Sequence, residues 1–158
     1  MEINGHTRLC GLIGNPVEHT LSPVIHNTVA EEMPDNLVYV PFHVEQGNLQ
    51  KAIAGAYSLN VLGLNVTVPY KQAVIPCLDC VEGLAEKIGA VNTLVRTENG
   101  FRGYNTDMMG LYRAMEEEGI AFEAEDMILL GAGGAARAAA FLCAEKGAKR
   151  VYLLNRSY

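Results

Sequence analysis

Two things that the 158-residue chain lacks narrow its class at once: a basic stretch and a long apolar one. The formal net charge is -6 and no run of Lys or Arg offsets it, which argues against a nucleic-acid-binding surface. No apolar stretch approaches the roughly 20 residues needed to span a bilayer, so no membrane contact is expected. Met1-Glu2-Ile3-Asn4-Gly5 has neither the basic nor the apolar region of a signal peptide, and a cytoplasmic protein is expected. Metal-ligand spacing is missing as well. Cys77 and Cys80 form a C-x-x-C, but no second pair and no His spacing stands nearby to complete a zinc site. Cys77 also follows Pro76 in a connecting segment, whereas a redox pair usually opens a helix after a strand. These two, with Cys10 and Cys143, are read as structural or incidental, and no metal is expected. Internal repeats and low-complexity segments are absent. What is present is core-forming material: 49% hydrophobic and 19% charged residues, enough for one domain, or one domain and a piece of another.

Strand-like and helix-like patterns alternate. Leu9 to Ile13 is a short apolar run ending at Gly14, a buried strand. A helix is expected from Pro23, with Ser22 as its N-cap and Ile25, Val29 and Met33 on one face. Leu37 to Val44 reads as a second strand, and Leu49, Ala52, Ile53 and Ala56 have helical spacing. Val61 to Val68 reads as a third strand. Short helices follow at Tyr70 to Ile75 and Gly83 to Ile88, then strands at Val91 to Arg96 and Phe101 to Tyr104 around the turn Glu98-Asn99-Gly100. A longer helix is expected from about Asp107 to Glu118, with Met108, Leu111, Tyr112 and Met115 on one face and Gly119 after it. Beyond a linker at Ile120 to Glu125 the pattern is strand (Met127 to Leu130), glycine turn, alanine-rich helix (Ala135, Ala138, Ala139 and Leu142 facing inward, ended by Gly147) and strand (Val151 to Leu154), one βαβ unit.

That turn, Gly131-Ala132-Gly133-Gly134-Ala135-Ala136, fits G-x-G-x-x-G/A in the strand-turn-helix context the motif requires. Glycine permits the tight turn and lets backbone N–H groups approach a pyrophosphate at the positive end of a helix. The competing reading is a turn that serves close packing alone. An NAD site places Asp or Glu at the end of the second strand, on the ribose 2′-hydroxyl. Here Asn155-Arg156-Ser157 stands there with no acid, and Arg156 suits a 2′-phosphate. NADP is the expected cofactor.

Polar residues gather where strands run into loops, the positions that face ligand crevices in α/β folds. They include Gly14-Asn15-Pro16, His19-Thr20-Leu21-Ser22-Pro23, Asn65-Val66-Thr67-Val68-Pro69-Tyr70-Lys71, Val91-Asn92-Thr93 and Asn105-Thr106-Asp107. Hydroxyls, amides, one lysine and one aspartate suit a small polyhydroxylated acid. Taken singly each has a plainer role: Ser22 as a cap, Asp107 as a first-turn acid, Lys71 as a solvated surface lysine, Asn92 as a turn residue.

As an ordered set they resemble the shikimate dehydrogenase family. The Gly14 and His19 segments with His26-Asn27, the segment ending in Lys71, Gly89-Ala90-Val91-Asn92-Thr93, Gly103-Tyr104-Asn105-Thr106-Asp107, the Gly131 turn and Asn155-Arg156-Ser157 follow the family's order from about Leu9 to Ser157. The resemblance implies an enzyme that reduces 3-dehydroshikimate to shikimate with NADPH, for aromatic amino acid biosynthesis. It implies Lys71 and Asp107 as the catalytic pair, with Thr20, Ser22, Thr67 and Asn92 also on the substrate. It places Gly131, Ala132, Gly133, Gly134, Ala135, Asn155, Arg156 and Ser157 on NADP. Thr20 stands where many members have Ser, and Ser157 where Thr is usual. The expected fold is α/β: a mixed-sheet substrate-binding domain over 1–106, a linking helix and linker over 107–124, and a partial Rossmann-type NADP-binding domain over 125–158. The chain is read as a truncated form of doubtful activity alone, with self-association through exposed apolar surface. The alternatives are an enzyme of the same family that also accepts quinate, and a fragment that binds substrate without turnover.

Overall fold

The structure, a computed structural model, describes residues 2–156. Its main sheet has six strands in the order β2-β1-β3-β5-β6-β4. These are β1 (Arg8–Gly14), β2 (Leu37–His43), β3 (Gly63–Val66), β4 (Cys80–Val81), β5 (Thr93–Arg96) and β6 (Phe101–Tyr104). β1 lies parallel to both β2 and β3, through helices α1 (Ser22–Glu31) and α2 (Leu49–Ser58), as crossover connections require. β5 and β6 then run antiparallel around the expected tight turn, and β4 closes the edge parallel to β6. The mixed sheet expected from the sequence is therefore present. α3 (Gly83–Ile88), α4 (Asp107–Glu117), α5 (Gly134–Glu145) and the parallel strands β7 (Asp126–Leu130) and β8 (Arg150–Leu154) complete the chain.

Two faces of the main sheet are buried unequally. On the α2 face Ile13, Leu64, Val66, Leu94 and Phe101 pack with Leu49, Ile53 and Val74 in one continuous core. On the α1 face a smaller cluster joins Leu12, Val17 and Tyr39. A third cluster holds α5 to the rest: Ile88 and Ala90 from the α3 region, Met108 from α4 and Phe122 from the linker enclose Ala138, Leu142 and Cys143. The linking helix α4 is thus packed on both sides of the expected boundary.

Several sequence expectations need correction. Ser22 is not the N-cap of α1; Leu21 holds that place, no side chain caps the helix, and Ser22 is its first helical residue. Ile25, Val29 and Met33 face outward, because α1 turns Ala30 and Asn27 toward β2 instead. The third strand is shorter than Val61 to Val68, since Pro69 has no N–H to continue a ladder and Tyr70 folds back onto the Thr67 carbonyl. Tyr70 to Ile75 forms successive turns rather than a helix, leading into a short 3-10 segment, Ile75–Cys77. Leu111 and Ala135 are exposed, although placed on the buried faces of their helices. The four cysteines are unpaired thiols: burial pushes Cys10, Cys77 and Cys143 up, and Cys80 Sγ accepts a hydrogen bond from Arg102 Nε at 3.1 Å. No helix among the described residues is long and apolar enough to cross a membrane.

Candidate active site

Three groups of residues lie at the strand ends, beside the carboxyl ends of β1, β3, β6, β7 and β8 and the amino end of β5. The first is built on the loops after β3, before β5 and after β6. Lys71 Nζ donates to Asp107 Oδ2 at 2.6 Å, and both side chains are largely shielded from solvent. Asn92 Nδ2 donates to the other carboxylate oxygen, Oδ1, at 2.8 Å. The orientation of the Asn92 amide is set by a backbone donor: Thr106 N–H bonds Asn92 Oδ1 at 2.9 Å, so the amino group must face Asp107. Thr93 Oγ1 donates to the same Asn92 Oδ1 at 3.0 Å. The loop carrying Lys71 is tied to the Asn92 loop through Val91 N–H, which donates to the Lys71 carbonyl at 2.7 Å.

Sequence reasoning gave Asn105 no role of its own, yet the structure makes it the support of Asp107. Buried at 6% exposure, it donates through Nδ2 to the Ala90 carbonyl at 2.9 Å. Its Oδ1 accepts from the N–H groups of Asp107 and Met108 at 3.1 and 3.3 Å. It therefore satisfies orphan donors at the start of α4 as a capping side chain does. An Asn just ahead of a helical pattern was the signal for it.

The second group is a hydroxyl pocket. Thr20, Ser22 and Thr67 line a cavity of about 300 Å³ together with Leu12, Pro16, Val17 and His19. Thr20 Oγ1 donates to Ser22 Oγ at 3.1 Å, and Ser22 N–H donates to Thr20 Oγ1 at 3.2 Å, so the loop entering α1 holds both hydroxyls together. A side chain on Gly14 would collide with Thr67 and with the Val68 carbonyl, so glycine is needed for these two loops to meet. Both loops contain cis peptide bonds, Asn15–Pro16 and Val68–Pro69.

The third group surrounds the glycine turn. Gly131, with φ +115°, joins Leu130, Leu154, Asn155 and Arg156 around an open cavity of about 530 Å³. Gly131 N–H donates to the Leu154 carbonyl at 2.7 Å, linking the turn to the end of β8. Ala132, Gly133 and Ala135 are exposed beside it, and Gly133 is the N-cap of α5. Gly134 faces the first group: a Cβ there would lie 2.8 Å from Lys71 Cβ and 3.1 Å from its Cδ. The turn and the lysine thus meet at van der Waals contact, which only glycine permits. Ser157 lies outside the described residues. Among those residues no group of three or more His, Cys, Asp and Glu side chains is placed to hold a metal ion.

Fold and site together define an α/β substrate-binding domain with a dinucleotide-type βαβ unit docked against its polar strand ends. The family model described as the shikimate dehydrogenase substrate binding domain matches residues 12–94. The chain belongs to that family. It is 49% identical over 157 residues to the shikimate dehydrogenase (NADP(+)) of Desulforamulus reducens, an alignment covering 98% of this chain and 54% of that protein. The crystal structure of shikimate dehydrogenase from Aquifex aeolicus superposes with a TM-score of 0.93 at 42% identity, covering 99% of this chain and 58% of that one. A Thermus thermophilus shikimate 5-dehydrogenase, solved in complex with NADP(H) and shikimate, gives 0.85 at 34% identity, covering 95% of this chain and 56% of that one. The chain spans about half the length of the curated relatives it matches.

Proposed function

We propose that this chain provides the substrate-binding half and part of the cofactor-binding half of an NADP-dependent shikimate dehydrogenase, which interconverts 3-dehydroshikimate and shikimate in the cytoplasm. The observation that carries this reading is the Lys71–Asp107 pair, held at 2.6 Å at the strand ends beside the glycine turn. Residues 1–106 form the substrate domain, 107–124 the link and 125–158 the partial cofactor domain. Thr20, Ser22, Thr67 and Asn92 bind the substrate's carboxylate and hydroxyls, as their chemistry and grouping favour.

The residues at the third group fit NADP. Gly131 to Ala135 form the turn and helix start that suit a pyrophosphate, and Asn155, Arg156 and Ser157 suit the adenosine 2′-phosphate, with no acid in Asn155-Arg156-Ser157 to repel it. When bound, the reduced cofactor supplies a hydride. Addition of hydride to a ketone carbon sends the carbonyl π electrons to oxygen, and that oxygen needs a proton and a positive charge nearby. Both Asp107 oxygens accept hydrogen bonds, one from Asn92 and one from Lys71. The ammonium group retains further N–H donors. Lys71 is therefore the proton donor to the developing alkoxide, and Asp107 orients it. In the reverse direction Lys71 takes the proton back as hydride leaves carbon.

A second reading, a piece that binds substrate without turnover, is favoured by the exposure of β8 along its whole length and of Ile128 and Leu130 on one face of β7. Self-association through that surface belongs to either reading, and no nucleic-acid partner belongs to either. The test is reduction of NADP+ with shikimate and with quinate, and of NAD+ with shikimate, using this chain and the complete gene product. Turnover with shikimate and NADP+ is expected of the complete product, and none with any pair would reject the assignment. Quinate turnover would place it with the broader-specificity variant. Arg156→Ala is expected to weaken NADP(H) about 10- to 100-fold, as loss of a charge-assisted bond does, and to leave NAD(H) little changed. Equal losses would make Arg156 a surface residue.

A further inference from the structure

The glycine turn holds one glycine more than its pattern asks for. In G-x-G-x-x-G/A the fixed places fall on Gly131, Gly133 and Ala136, and Gly134 stands at a place that takes any residue. Its backbone does not require glycine either: Gly134 is the first residue of α5 and is not among the residues with positive φ. What excludes a side chain there is Lys71. A Cβ on Gly134 would lie 2.8 Å from Lys71 Cβ, 3.1 Å from Cδ and 3.4 Å from Cγ, and these are the three atoms it would meet first. The lysine stem therefore runs along the bare Cα of Gly134 on its way to Asp107 Oδ2. A Cβ on the neighbouring Gly133 would meet nothing within 4 Å.

Neither side of this contact is free to yield. Carbon atoms rest about 3.5–4.0 Å apart, so a methyl group at position 134 needs a retreat of roughly 1 Å. Rotation of the lysine side chain does not provide it, because Cβ is fixed by the backbone. That backbone is tied by Val91 N–H, which donates to the Lys71 carbonyl at 2.7 Å, and by the buried Tyr70, whose hydroxyl donates to the Val44 carbonyl at 2.6 Å. α5 is tied through Ala138, Leu142 and Cys143, buried against Ile88, Ala90 and Met108. We propose that Gly134 is a positioning residue for Lys71: its missing side chain leaves a slot that confines the lysine stem and aims Nζ at Asp107. A long side chain loses rotamer freedom when its tip is held, and a slot built in advance supplies that ordering before reaction. What the aimed lysine does rests on the proposed dehydrogenase function; that the slot aims it does not. The plainer role is a turn glycine that admits a pyrophosphate, with the lysine beside it by chance.

The two roles part on kcat against cofactor affinity. In the complete gene product, Gly134→Ala is expected to lower kcat for shikimate at saturating NADP+ about 10- to 100-fold, the effect of moving a reacting group by about 1 Å, and to change NADP(H) affinity less than about threefold. Gly133→Ala, where a methyl group meets no neighbour, is expected to show the reverse order, with the larger loss in NADP(H) affinity. A Gly134→Ala enzyme that loses at least as much cofactor affinity as kcat would overturn the proposal. In the ligand-free chain, Gly134→Ala is expected to move the carboxyl carbon resonance of the Asp107 side chain, although the atoms nearest the new methyl all belong to Lys71. An unmoved resonance would overturn the proposal as well. Should the variant fail to fold, carbon-13 relaxation in the unaltered chain decides. The Lys71 methylene groups are expected to be as ordered as the backbone, and those of the exposed Lys51 on α2 to average freely; a Lys71 stem as mobile as that of Lys51 means that no slot holds it. Absence of shikimate turnover in the unaltered product would reject the functional reading and leave the two ligand-free measurements to decide the role of Gly134.

Discussion

The two sheets are written in the same alphabet and have different fates. Leu64, Val66, Leu94 and Phe101 in the main sheet are buried. The strands β7 and β8 are as apolar, Asp126-Met127-Ile128-Leu129-Leu130 and Arg150-Val151-Tyr152-Leu153-Leu154, yet Leu130 is 83% exposed and Leu154 57%. An apolar strand reports that a face is to be covered, not that it is covered here. In the main sheet α1 and α2 cover opposite faces and the strands cover one another's edges. In the second sheet α5 covers part of one face, and among the described residues the two strands pair only with each other. The polar groups divide likewise: the Lys71–Asp107 pair proposed to transfer the proton stands on the well-buried region, and the glycine turn proposed for the cofactor on the open one.

The largest expected effect tests whether chemistry belongs to the first region alone. Lys71→Ala in the complete gene product is expected to lower kcat about 100- to 10,000-fold, as removal of a general acid does, with a much smaller change in shikimate affinity. Stopped-flow and steady-state kinetics separate the two. A variant that keeps most of its kcat would move the proton donor elsewhere and break the division.

Next comes the core beneath that site. Phe101 is 1% exposed and meets Tyr57 edge-on at 5.9 Å. Phe101→Ala is expected to cost about 3–5 kcal/mol in denaturant unfolding, the range for large cavities in a packed core. A loss below about 1 kcal/mol would mean that the main sheet is no better packed than β7 and β8.

How far the sequence could be read divides along the same line. Strand and helix order was readable because period-2 and period-3.6 patterns are local properties. Lys71, Asp107 and Asn92 were readable as a set through the family resemblance, and their geometry brings them into one network. Three features were not readable, for physical reasons. The outward face of α1 depends on a side chain, Asn27, choosing the β2 backbone as partner, and apolar periodicity does not record that choice. Ser22 looks like a cap because hydroxyls bond free N–H groups at helix starts; here its hydroxyl is engaged by Thr20 instead. The contact of Gly134 with Lys71 joins residues 63 positions apart, and the glycine had a sufficient local explanation in the turn.

A smaller effect separates the regions by pH. Burial, reinforced by Cys10 and opposed by the nearby Ser22 side chain, pushes the Tyr39 phenol up to about 12 from its ordinary value of 10. The folded state thus favours the protonated phenol. Its contribution is fully present below pH ~10 and is lost as the unfolded chain deprotonates between pH ~10 and ~12, at up to about 1.4 kcal/mol per pH unit. Tyr39→Phe is expected to flatten that part of the stability curve. Unfolding curves for the two proteins that fall in parallel through this window would show that Tyr39 ionises as freely as an exposed tyrosine.

The smallest expected change in stability lies in the open region. Leu130 and Leu154 end β7 and β8 side by side in register, largely exposed, at the mouth of the cavity that includes Arg156. Because they bury little, Leu130→Ser and Leu154→Ser are each expected to change unfolding free energy by no more than about 0.5 kcal/mol, the usual range for surface positions. Their effect should show instead in association. Two apolar edge strands with unpaired N–H and C=O groups invite a second chain to add to the sheet. Sedimentation of this chain is expected to show self-association that rises with concentration and is weakened in the double variant. Hydrogen exchange is expected to be fast in β7 and β8 and slow in β3 and β5. A strictly monomeric chain with strong amide protection in both β7 and β8 would mean that the pair is as well closed as the main sheet, and the contrast between the two regions would be lost.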